Sequence, residues 1–175
     1  MIPDNNQRSR DEHLVRRVRI LLILFVIGLI ASGLTAFPLV WEVRILNQTI
    51  GPGTFIEKVF PPMAAWIAKV HDALLDASVR YPFIMYGTDW LAFGHIVIAI
   101  AFLGAIHNPV KNIWVIEFGM IACVLVVPTA IICGQIRGIP FFWRLIDCSF
   151  GVLGILPLLL AWSYIKKMGK ISDLQ

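Results

Sequence analysis

Three long apolar stretches, Ile20–Trp41, Ile113–Cys133 and Leu145–Ile165, and a shorter one at Trp90–Ile106 alternate with polar connections along the chain. About 20 apolar residues carry an α-helix across a hydrocarbon core roughly 30 Å thick. Within that core every backbone amide must be satisfied inside its own segment, so these stretches are expected to be helical. The pattern predicts an all-α integral membrane protein: a four-transmembrane-helix bundle, with spans near residues 20–41, 90–106, 113–133 and 145–165. Residues 1–19 and 166–175 form polar, basic tails around this single domain.

The connection between the first two spans has a periodicity of its own. After Pro61-Pro62, a favourable helix start, Met63, Trp66, Ile67, Val70, Leu74 and Ala77 recur at helical spacing while Lys69, Asp72, Asp76 and Arg80 fall largely opposite. This predicts an amphipathic helix over about 62–80, lying in the outer interface or over the mouth of the bundle. Tyr81-Pro82 ends it, because a residue before proline disfavours helical geometry. Gly51-Pro52-Gly53 reads as the turn that reverses the chain after the first span.

Composition agrees with a membrane protein. The 175 residues are 58% hydrophobic and only 15% charged, against roughly 25% charged in soluble domains. The net charge of +4 does not point to nucleic acid, because the basic residues gather at the tails beside apolar spans. There they act as topology determinants. Arg8, Arg10, Arg16, Arg17 and Arg19, Lys111 in the second connection, and Lys166, Lys167 and Lys170 predict that both termini are cytoplasmic. Residues 42–88 and the turn Gly134–Trp143 are then outside, and the first of these balances four basic against four acidic side chains. The N-terminal region also has the outline of a signal peptide ending near Ala31-Ser32-Gly33, but its apolar run exceeds the usual 7–15 residues and reads as the first span.

Helices in lipid associate through small residues and polar contacts. Gly28, Ser32 and Ala36 form one such stripe, Ala101 and Ala105 a second, and Gly151 and Gly154 a third. Asp147 shares the third stripe and is expected to face a neighbouring helix, paired with Arg144 or with a polar residue of the second span, foremost His95. Cys123, Cys133 and Cys148 show neither a C-x-x-C pair nor zinc spacing. They read as ordinary thiols, with a Cys133–Cys148 bridge left open.

The residues that could carry chemistry gather toward the outer end: Glu42, Asp89, His95, Gln135, Arg137, Arg144 and Asp147. A charge at a helix centre costs about 2.5–3.5 kcal/mol on insertion scales, so such groups pair or line a wet cavity. Asp89, His95, Arg137, Arg144 and Asp147 are the candidate polar or ligand site. Asp89 also fits an N-cap of the second span in Thr88-Asp89-Trp90, and the two arginines fit headgroup snorkelling. At the inner end Glu117 is expected to pair with Lys111 or a tail cation.

Three function classes follow. The first is a noncatalytic accessory or assembly subunit of a membrane complex, whose partners are the bilayer and other membrane subunits or further copies of the chain. The second is a redox protein binding a quinone or other lipophilic ligand, and the third a small oligomeric transporter or proton-coupled channel. No cofactor is indicated. His95 is the one histidine well inside a span, so a bis-histidine haem is disfavoured.

Overall fold

The computed structural model describes the backbone of residues 5–172 and the side chains of residues 12–168; the side chains of Arg8, Arg10 and Lys170 lie outside the described set. Among the described residues 88% are helical and none is in a strand. In chain order the helices are α1 (Asn5–Thr35), α2 (Leu39–Ile50), α3 (Phe55–Val59), α4 (Pro61–Arg80), a 3₁₀ turn (Pro82–Ile84), α5 (Tyr86–His107), α6 (Ile113–Ile136) and α7 (Phe141–Ser172). Among the described residues four stretches are long and apolar enough to cross a membrane: Glu12–Thr35, Pro82–His107, Ile113–Ile136 and Phe141–Met168. Their exposed positions include Leu24 and Ile27, Ile100 and Leu103, Ile121 and Val124, and Leu153 and Leu156. Such faces suit hydrocarbon as solvent.

The boundaries differ from expectation in instructive ways. The first span does not run to Trp41. It stops at Thr35, where Pro38 brings no amide hydrogen to continue the ladder and disfavours helical geometry at Phe37; Trp41 and Glu42 belong to α2. At its other end α1 begins at Asn5, so Arg16, Arg17 and Arg19 project from a helix and not from an irregular tail. The expected outer turn 134–143 shrinks to residues 137–140, with α6 and α7 claiming the rest. The helix expected at 62–80 is α4. Lys69, Asp72, Asp76 and Arg80 are exposed on it while Ala64 and Ile67 are buried.

The chain divides into two compact units, one made of the chain up to Gly28 together with the chain from Ile98 onward, the other of Leu29–Val97. In the first unit α6 and α7 pack against each other. Small residues set their separation. A Cβ on Gly151 would collide with the carbonyl oxygen of Cys123, and one on Gly154 would lie 3.1 Å from Cys123 Sγ. Gly151 and Gly154 are thus a packing stripe, as their spacing implies. Phe102 is fully buried, its ring 4.8 Å from that of Phe25, and Gly119 makes room for it: a Cβ there would sit 2.7 Å from Phe102 Cζ and 2.9 Å from Leu158 Cδ1.

The α5–α6 turn of this unit is tied by side chains that donate to carbonyls at the end of α5 and in the turn itself, where the helix ladder runs out of amide donors. Arg19 Nε donates to Ile106 O at 3.1 Å and its Nη2 to His107 O at 3.0 Å. Asn112 Nδ2 donates to Gly104 O and Asn108 O, each at 3.0 Å. Among the described residues Glu117 has no ion-pair partner; its carboxylate accepts a hydrogen bond from Trp162 Nε1 at 3.0 Å. An indole held on the facing helix satisfies a carboxylate without bringing a second charge out of water.

In the second unit α4 packs on α2 and α3, burying Val43, Ala64 and Ile67. The turn before α3 uses Gly53 at φ +84°, a region open to glycine. Glu57 accepts from the Gly53 amide at 2.7 Å. Gly33 of α1 lies against α5, where a Cβ would be 2.7 Å from His95 Cβ and 3.3 Å from Ala92 O. The expected Gly28/Ser32/Ala36 stripe is corrected at two of its members, since a Cβ on Gly28 would meet nothing within 4 Å and Ser32 is exposed; Ala36 is buried as expected.

Candidate functional site

The C-terminal half of α6 and the start of α7 border an open groove of about 640 Å³. One wall is the α6 face Ala122, Leu125, Val126, Thr129, Ala130 and Cys133, continued by Gly134, Arg137 and Ile139. Asp147 of α7 closes the other side. Spacings of three and four residues keep the α6 positions on one helical face, and the small side chains at 122, 130 and 134 leave the space that the groove occupies. Thr129 turns its hydroxyl proton back to Leu125 O at 2.8 Å, so only its lone pairs remain.

Two charged residues define the polarity of this groove. Arg137 is exposed at the end of α6. Asp147 is half-buried and lies about 9 Å of helical rise inside α7 from Phe141. Its expected partner faces elsewhere: the Arg144 stem packs over Gly134, whose added Cβ would fall 2.5 Å from Arg144 Cδ. From there Nη1 donates to Ile131 O at 3.3 Å, and the guanidinium sits 5.3 Å from the Phe141 ring centre. Among the described residues the ion pair between formal charges is Arg80–Asp76, and His71 Nδ1 lies 3.0 Å from Asp72 Oδ1. The expected Asp147–Arg144 pair is therefore corrected, and Asp147 has neither a hydrogen-bond nor an ion-pair partner among the described residues.

Asp89 and His95 belong to the Leu29–Val97 unit, whereas Arg137, Arg144 and Asp147 belong to the other. Asp89 is not an N-cap, because α5 already begins at Tyr86 and places it in the first turn. His95 Nδ1 lies 2.8 Å from Leu91 O. A carbonyl only accepts, so Nδ1 carries the proton and Nε2 of the neutral ring is left as an acceptor.

Sequence reasoning found Arg137 and Asp147 but missed the α6 wall between them, since a stripe such as Ala122, Val126, Thr129 and Ala130 looks like any other lipid-facing or packed surface until the neighbouring helix is placed. The Glu117–Trp162 bond was equally hidden, because the partners are 45 residues apart. The three cysteines are free, and among the described residues no three metal-binding side chains converge. No protein-family model, no curated protein and no solved structure matches this chain.

Proposed function

We propose that this is a small polytopic membrane protein serving as a noncatalytic accessory or assembly subunit of a membrane complex, with both termini cytoplasmic and α4 lying on the outer surface. The observation that supports it most is apolar exposure outside the spans. Phe55 is 75% exposed and Val79 is 81% exposed, both in the segment joining the first two apolar helices. Large apolar side chains left open in a segment that also exposes Lys69, Asp72, Asp76 and Arg80 mark a surface that another body covers. The headgroup region covers aromatics at its own level; a partner subunit covers the remainder. A photo-crosslinking residue at Val79 or Phe55 tests this in intact membranes. A discrete protein adduct, identified by mass spectrometry and copurifying in mild detergent, is the expected result, and adducts to lipid alone would refute the reading.

A second reading, a redox protein binding a quinone or other lipophilic ligand, draws on His95. With Nδ1 committed to Leu91 O, Nε2 is the acceptor that a ring hydroxyl requires. Stoichiometric quinone in the same preparation, lost on His95→Leu, would replace the first reading with this one.

A further inference from the structure

We propose that the α6–α7 groove is a binding site for phosphatidylethanolamine, with the phosphate at Arg137, the primary ammonium at Asp147 and an acyl chain along the apolar wall. Three features of the groove select this occupant together. Its wall is apolar from Ala122 to Cys133, which suits a hydrocarbon tail and gives a free ion nothing. Its two charges are of opposite sign and both line the same space, so they match a zwitterion better than an anionic or a neutral lipid. The Asp147 carboxylate has no partner among the described residues, and an unpaired carboxylate facing an apolar groove is the group that most needs a donor.

Depth agrees with the assignment. Headgroup regions are roughly 5–7 Å thick on each side of the hydrocarbon core, and Asp147 lies about 9 Å below the start of α7. With the start of α7 at the water side of the headgroups, this puts Asp147 near the boundary where headgroup gives way to tail. The α6–α7 register, in which Gly134 faces Arg144 and Gly151 faces Cys123, puts Asp147 about level with Ala130. Arg137 is about 10 Å of rise further out, and its long stem lets the guanidinium reach down toward a phosphate between them. Phosphatidylcholine shares the phosphate, but its quaternary nitrogen has no N–H to donate to Asp147. Phosphatidylglycerol shares the tails and phosphate but brings no cation.

The test is lipid retention by the full chain in detergent, read by native mass spectrometry with phosphatidylethanolamine, phosphatidylcholine and phosphatidylglycerol of identical acyl chains. Phosphatidylethanolamine is expected to be retained about tenfold better than the other two, the size of one charge-assisted hydrogen bond. Asp147→Asn should abolish discrimination between ethanolamine and choline lipids, whereas Arg137→Gln should weaken all three phospholipids together. Ala122→Trp, on the apolar wall about 12 Å of rise from the level of Asp147, should displace bound lipid while a thermal melt confirms that the protein remains folded. Equal retention of the three lipids, a preference for phosphatidylglycerol, or ethanolamine selectivity surviving Asp147→Asn would each overturn the assignment.

Discussion

Gly33 of α1 and His95 of α5 approach so closely that a Cβ on Gly33 would lie 2.7 Å from His95 Cβ and 3.3 Å from the Ala92 carbonyl oxygen. Both obstacles are at or near backbone, so neither rotates away. Gly33→Ala should force the helices apart and lower stability by about 1–3 kcal/mol, the range for overpacking. Gly28→Ala on the same helix, where a Cβ meets nothing within 4 Å, should be neutral or slightly stabilising. Thermal melts of the two variants in one detergent compare them, and equal losses would contradict the assigned contact.

The α6–α7 contact offers a sharper distinction, between obstacles that can be trimmed and those that cannot. Gly119→Ala meets the side-chain ends of Phe102 and Leu158, whereas Gly151→Ala meets the Cys123 carbonyl. Leu158→Ala should therefore recover part of the stability lost in Gly119→Ala, while Val126→Ala should recover little in Gly151→Ala. Double-mutant cycles on unfolding free energy read the difference.

Trp162→Phe removes the hydrogen bond to Glu117 and leaves a carboxylate without its donor in a half-buried position. The expected loss is about 1–3 kcal/mol. Adding Glu117→Leu should restore much of it, because removing both polar partners is less costly than stranding one. A double variant no more stable than Trp162→Phe alone would show that this bond does not hold α6 to α7.

Arg144 and Asp147 stand three residues apart yet face different surroundings, Arg144 the Ile131 carbonyl and Asp147 the groove. Asp147→Ala and Arg144→Leu should therefore act additively on stability, within about 0.5 kcal/mol. Asp147→Ala alone should change the melting temperature little in lipid-free detergent, while Arg144→Leu, which loses the bond to Ile131 and the Phe141 contact, should lower it. Strong coupling between the two would restore the salt bridge that the sequence suggested.

Orientation can be checked directly. With Cys123, Cys133 and Cys148 replaced, a single cysteine at Ser172 should resist an impermeant thiol reagent in intact cells and react after lysis. One at Ser78, on α4, should react in both.

The sequence by itself determined how many helices are apolar enough to cross a membrane and roughly where they lie, because hydropathy reports the solvent each segment needs and needs no knowledge of neighbours. It also placed α4, whose apolar and charged positions recur with helical period, and the Gly151/Gly154 stripe, where small residues stand alone among large ones. Only the tertiary structure decided which small residue is used. Gly28 and Gly33 are equally permissive in sequence, and the choice rests on what α5 presents opposite each. The same holds for the direction of Arg144, drawn by the space over Gly134 and the Ile131 carbonyl away from its near neighbour, and for Glu117, whose donor comes from α7. The groove beside Asp147 was the least legible feature. A groove is space left by two helices that stop short of each other, and no single segment encodes the distance to its partner.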